Sequence, residues 1–228
     1  MRVCIFDLDH TLVYSSLDLR AMALDMRALI EREWGPLPSR AERYRVGELI
    51  SHCQLRAPAL EARAWAIALD HEQRALADAT LEPGALDAVA GIRARGFATA
   101  VWTNNTRSCT LPVLDRFGLT PHLDLVVTRD EAGKLKPDPE GYRVIRERLP
   151  RLREAVVVGD SWVDGLAARA AGLPFIAYRA DEVELARYGV APRARITALP
   201  ELLELGGGLC HPSEPPPTRI APAKPTLE

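Results

Sequence analysis

The chain has 228 residues, 47% of them hydrophobic, and a formal net charge of -2. That length holds one full core plus a smaller appended unit, and the near-balanced charge argues against nucleic acid or an anionic membrane as the main partner. The four cysteines, Cys4, Cys53, Cys109 and Cys210, sit far apart and form no CxxC pair, so neither a zinc site nor a disulfide framework is indicated; with no signal peptide or bilayer-length apolar run, a cytoplasmic place is expected.

The first element is a strand over residues 2–7, where Val3, Cys4, Ile5 and Phe6 run unbroken into Asp7. A continuous apolar run ending in a carboxylate reads as a central parallel strand, buried on both faces and opening at its C-terminal edge. Asp9 follows at i+2, so the two carboxylates lean to one side. A divalent cation, or a proton kept by one of them, would reconcile such like charges. Taken alone, this pair is equally well read as turn capping.

Residues 15–79 carry helical periodicity and no strand. Leu17, Met22, Leu24, Met26, Leu29 and Ile30 mark a first helix; Ser39 with Glu42 predicts a capping box opening a second, and Pro58 divides it from a third. This insert contains Arg40, Arg43 and Arg45 but no lysine. The three arginines read either as a solvated helix face or as contacts for an anionic substrate group.

From Leu81 helix and strand alternate, the pattern of βαβ units. Strands are predicted over 97–103, 124–128, 154–159 and 174–178, with a sixth around 195–197. Helices are predicted from 84 to 95, from about Pro112 (with Thr106 as a cap), over 138–148 and over 162–171. Residues 206–228, rich in Gly and Pro, read as a disordered tail. Trp102 and Trp162 read as packing residues, while His52, His71, His122 and His211 stand at no ligand spacing.

Polar residues thus recur at strand ends: Asp7 and Asp9; Thr103 and Asn104; Lys136 in GKLKPDP; Asp160 and Asp164 in GDSWVD. Parallel strands bring them to one edge. Hard carboxylate oxygens suit Mg²⁺, a hydroxyl and main-chain N–H groups suit phosphate oxygens, and lysine suits phosphate as a compact charge. Lysine is scarce here, with only Lys134, Lys136 and Lys224, which singles out that loop.

Four such motifs in this order resemble the haloacid dehalogenase superfamily, in particular its phosphoglycolate phosphatase-like members with a helical cap inserted after the first strand. DLDHTL, Thr103, Lys136 within KLKPDP and GDSWVD carry the resemblance over residues 1 to about 205. It implies an α/β fold: a Rossmann-like parallel-sheet core from residues 1–14 and 80–205, with 15–79 as the cap.

It further implies a Mg²⁺-dependent phosphatase for a small phosphorylated metabolite, working through an aspartyl-phosphate. Asp7 would be the nucleophile, Asp9 the general acid and base, Thr103, Asn104 and Lys136 the phosphate contacts. The metal ligands would be Asp7, the Asp9 carbonyl and Asp160, and Asp164 would support the metal or Lys136. His10 departs from the glycine common there and could touch substrate or simply fill the turn.

The presence of Asp9 argues against carbon-halogen cleavage, and an insert without lysine argues against a Schiff base for phosphonate cleavage. Nucleotide or sugar-phosphate hydrolysis, a phosphomutase, or a non-catalytic phosphate-binding protein remain as alternatives. The sequence sets no oligomeric state.

Overall fold

The structure, a computed structural model, describes residues 1–205 and 209–210. Strand β1 (Arg2–Phe6) is followed by a short strand β2 (Val13–Tyr14) and three helices, α1 (Leu19–Glu33), α2 (Val46–Arg56) and α3 (Pro58–Ala77). Next come β3 (Thr80–Leu81), α4 (Ala85–Ala94), β4 (Phe97–Trp102), α5 (Arg107–Arg116), β5 (Leu125–Val127), α6 (Arg129–Ala132) and α7 (Glu140–Arg148). The chain continues through β6 (Glu154–Gly159), α8 (Trp162–Ala170), β7 (Phe175–Tyr178), α9 (Glu182–Arg187) and β8 (Ala194–Ile196).

Six strands form one parallel sheet in the order β5-β4-β1-β6-β7-β8. The predicted central place of β1 holds: Ile5 lies between Ala100 and Val157, and Phe6 between Val101 and Val158. Alternation divides its apolar run between two layers. Cys4 and Phe6 pack with Val101, Val156 and Tyr178 on one face, Val3 and Ile5 with Ala100, Trp102 and Val157 on the other. All four are fully buried, so truncating Phe6 to Ala costs about 3–5 kcal/mol. The strand order turns back at β1, and Asp7 is the first residue beyond it.

The insert has its own apolar seam of Met22, Met26, Leu29, Ile30, Leu49, Ile50, Cys53 and Leu60. The chain enters and leaves it through the antiparallel pair β2 and β3, with Val13 opposite Leu81 and Tyr14 opposite Thr80. Two-residue strands leave too little periodicity to be seen in sequence.

Several local expectations are corrected. Ser39 and Glu42 open no helix. Instead Arg40 staples that segment, donating to the carbonyls of Glu42 and Arg43 and forking onto Glu48 while covering the Tyr44 ring. The helix starts at Val46, where Glu48 accepts the Arg45 N–H at 2.7 Å. Helix α5 begins at Arg107 and runs through Pro112. It forgoes the hydrogen bond that proline cannot donate because the helix buries Val113 and Leu114 in the core.

Trp162 packs as expected: partly buried, it lies against the core layer of Ile5 and Trp102 and stacks on Tyr188 at 3.9 Å. His71 pairs with Asp25 at 2.7 Å between α3 and α1, and the His52 ring meets Trp34 edge-on. His211 and most of the expected tail lie outside the described residues.

Candidate active site

The C-terminal ends of β1, β4 and β6 and the loop before α7 converge. Lys136 Nζ donates to Asp7 Oδ1 at 2.5 Å and to Asp164 Oδ1 at 2.6 Å, with all three groups nearly shut off from solvent. One carboxylate oxygen from each of Asp7, Asp160 and Asp164 falls within 4.8 Å of the others. One lysine thus faces three carboxylates.

Asp164 is placed by two local devices. Ser161 is the N-cap of α8 and Asp164 its N3 residue, and Ser161 Oγ donates to Asp164 Oδ2 at 2.6 Å. This Ser-x-x-Asp box is a helix-start signal that the sequence displays. At the end of β6, a Cβ on Gly159 would lie 2.5 Å from Asp164 Cγ. Glycine there lets the carboxylate lie against the main chain.

Asp9 points elsewhere. Ser15 Oγ and Asn105 Nδ2 donate to its two oxygens, each at 2.6 Å. Both donors escaped the sequence reading. Asn104 is occupied by the lysine loop, its Oδ1 accepting the Lys136 N–H at 2.7 Å and its Nδ2 donating to the Lys136 carbonyl at 3.2 Å. Thr103 is buried, and its Oγ1 accepts the Asn105 N–H at 3.1 Å. His10 adopts φ 56°, the left-handed region where glycine sits without strain, and its ring meets Tyr14 edge-on. It is a turn residue of the loop that places Asp9.

Of the insert arginines, the exposed Arg43 and the stapled Arg40 stay within the insert. Arg45 reaches the core: its guanidinium lies over Trp162 at 4.7 Å and Tyr188 at 4.9 Å and donates to the Tyr188 hydroxyl. The Glu42 and Arg187 ion pair closes the same joint.

Burial pushes the Asp7 carboxyl up to about 7; Lys136 pulls against it, but Asp164 and Asp9 add to the rise. Burial, then Asp164 and Asp7, hold Asp160 well above the usual carboxylate range. Burial also raises Asp9 in spite of its Ser15 and Asn105 bonds. Burial draws the Lys136 ammonium down, yet Asp164 and Asp7 together keep it above its ordinary value. The ammonium therefore stays charged, and the upward shifts of Asp7 and Asp160 show that one ammonium does not make up for burying like charges side by side. The carboxylate donors are all hard oxygens, which fits a small divalent cation.

With Asp7 at about 7 in the folded chain against an ordinary carboxyl value of 3.8, between those values the folded state binds the extra proton and gains stability as pH falls. Above about pH 7 the cost of ionising it is complete. In EDTA the melting temperature should rise between pH 8 and pH 5 relative to the same series in Mg²⁺, where a cation meets the charge. Identical slopes in the two series would exclude a cation at these carboxylates.

The family model for haloacid dehalogenase-like hydrolases matches residues 1–172. The chain belongs to this family. A phosphoglycolate phosphatase of Rhodobacter capsulatus is 32% identical over 184 residues, covering 76% of this chain and 82% of that protein. The plasmid-encoded phosphoglycolate phosphatase of Cupriavidus necator is 36% identical over 142 residues, 62% of this chain; the match spans 58% of that relative's length. Among solved structures, a haloacid dehalogenase superfamily hydrolase of Geobacter sulfurreducens superposes with a TM-score of 0.58 at 26% identity, covering 90% of this chain and 99% of that one. The expected class, a hydrolase of phosphoric monoesters on an α/β core, agrees with these relatives. No helix among the described residues is long and apolar enough to cross a membrane.

Proposed function

We propose that this haloacid dehalogenase-like hydrolase is a Mg²⁺-dependent phosphatase for a small phosphomonoester bearing a carboxylate, with phosphoglycolate the best-fitting substrate. The observation that carries the reading is the bond from Lys136 to Asp7, at 2.5 Å, beside the Asp160 and Asp164 oxygens. Asp7, the Asp9 carbonyl and Asp160 would hold the ion, with Asp164 fixing Lys136. When bound, Mg²⁺ offsets the repulsion between carboxylate and phosphate and stabilises charge spreading over the transferred group.

In the first step an Asp7 oxygen attacks phosphorus, the ester P–O bond breaks, and the Asp9 proton passes to the leaving oxygen, giving the alcohol and an aspartyl-phosphate. In the second, water attacks that phosphorus, Asp9 takes its proton, and the P–O bond to Asp7 breaks to release phosphate. Thr103 and main-chain N–H groups after β4 would bind phosphate oxygens. The insert over residues 15–79 acts as the cap that excludes bulk water. The four free cysteines suit a reducing cytoplasm.

The test is phosphate release from phosphoglycolate, nucleotide monophosphates and sugar phosphates, with Mg²⁺ and with EDTA. Metal-dependent release, fastest with phosphoglycolate, is expected; no release from any ester by folded protein would sink the phosphatase. Arg45 is the insert arginine that the fold carries to the core, so we assign it to the substrate carboxylate. Arg45→Ala should raise KM for phosphoglycolate about 10-fold, the worth of one charge-assisted hydrogen bond. An equal rise for an ester without a carboxylate would remove that role.

A further inference from the structure

A second junction between insert and core lies beside the loop after β4. Glu72 of α3 is 2% exposed, and it is the one buried acid of the insert among the described residues. Its Oε2 accepts from both the N–H and the hydroxyl of Thr106, each at 3.2 Å, and its Oε1 accepts from Arg129 Nη1. Both side chains of the ion pair are less than a tenth exposed, and Trp65 of α3 covers the guanidinium at 4.7 Å.

Burying such a pair gives little net stability, because desolvation offsets the attraction. Its effect is geometric. Arg129 also donates from Nη1 to the Asn104 carbonyl at 3.2 Å and from its main-chain N–H to the Asn105 carbonyl at 3.1 Å. Glu72 and Arg129 therefore grip three successive residues, 104–106. Two of these face the reaction: Asn104 brackets the Lys136 main chain, and Asn105 donates to Asp9.

We propose that Glu72 and Arg129 are positioning residues: docked from the insert, Glu72 fixes the 104–106 loop so that Asn105 aims the Asp9 carboxyl at the leaving group. The proposal rests on Asp9 being the general acid of the phosphatase described above. The linkage makes proton delivery depend on the insert being seated, although Glu72 touches neither Asp9 nor the transferred group.

The experiment compares two esters in the full chain. Phosphoglycolate releases an alkoxide that needs the Asp9 proton, whereas p-nitrophenyl phosphate releases a phenolate that leaves without one. The value of kcat/KM reports steps up to transfer onto Asp7, before the second use of Asp9. Glu72→Gln keeps the shape and removes the charge. It should lower kcat/KM for phosphoglycolate about 10- to 100-fold, the lower end of general-acid effects, and for the aryl ester by less than about 3-fold. Asn105→Ala should show the same selectivity.

The double variant Glu72→Leu with Arg129→Met leaves neither charge buried alone, and it must repeat the pattern if Glu72→Gln folds poorly. Equal losses on both esters would reduce the pair to a structural joint and overturn the proposal. So would unchanged kinetics. If Asp9→Asn is selective for phosphoglycolate while the Glu72 variants are not, only the positioning role fails. If the unmodified protein cleaves neither ester, the phosphatase reading fails and the proposal falls with it.

Discussion

Asp7→Asn protein should release phosphate at least about 10³-fold more slowly than the unmodified chain, at saturating Mg²⁺ and any pH from 5 to 9. The amide is no nucleophile toward phosphorus, and it also withdraws one of the three carboxylates grouped within 4.8 Å. The fold should survive the change. Burial already disfavours the ionised Asp7, and an amide oxygen can still accept from Lys136. Melting of the metal-free variant at pH 8 should therefore be no lower than that of the unmodified chain. Normal turnover by Asp7→Asn would end the proposed covalent mechanism. A large fall in melting temperature would show that Asp7 contributes to stability in a way its burial and charge do not explain.

Lys136→Met carries the opposite signature, a loss of both stability and rate. Its ammonium is 4% exposed in the side chain and is shared by Asp7 and Asp164. Removing one member of a buried charge network leaves the others uncompensated and costs about 3–5 kcal/mol. Acidification should recover part of that loss by protonating the carboxylates, and so should Mg²⁺ by replacing the missing charge. Turnover should stay at least about 10²-fold down in both conditions, since the donor proposed for the transferred phosphate is gone. Urea melts at pH 5 and pH 8, with and without the metal, measure all of this. A variant as stable as its parent at pH 8 in EDTA would show that Lys136 does not offset the charge of Asp7 and Asp164.

The main elements of the fold were legible because they obey short-range rules. Burial on both faces writes β1 as an unbroken apolar run, and the carboxylate that ends it marks the sheet edge. The same logic located Thr103, Asp160 and the loop of Lys136. What escaped depends on approach between distant segments. Asn105 meets Asp9 across 96 positions and Glu72 meets Arg129 across 57, and no periodicity in either segment announces the other. Ser39 with Glu42 matched a capping box in letters, yet the Arg40 fork onto Glu48 decided where α2 starts. A box that did form, Ser161 with Asp164, was equally visible, and it fixed the carboxylate that had only a supporting role in the sequence reading.

The place of β1 also bears on how the chain reaches this state. Both edges of β1 are closed by strands made much later, β4 from Phe97 and β6 from Glu154. At 5–20 residues per second, about 5–20 s of synthesis separate β1 from the emergence of its first partner. Throughout that interval an apolar segment with two open edges follows the ribosome, while the insert, whose helices pack on one another, can already condense. The chain thus exposes an apolar strand before either of its partner strands exists, and shielding that strand from other chains is the task this topology sets during synthesis.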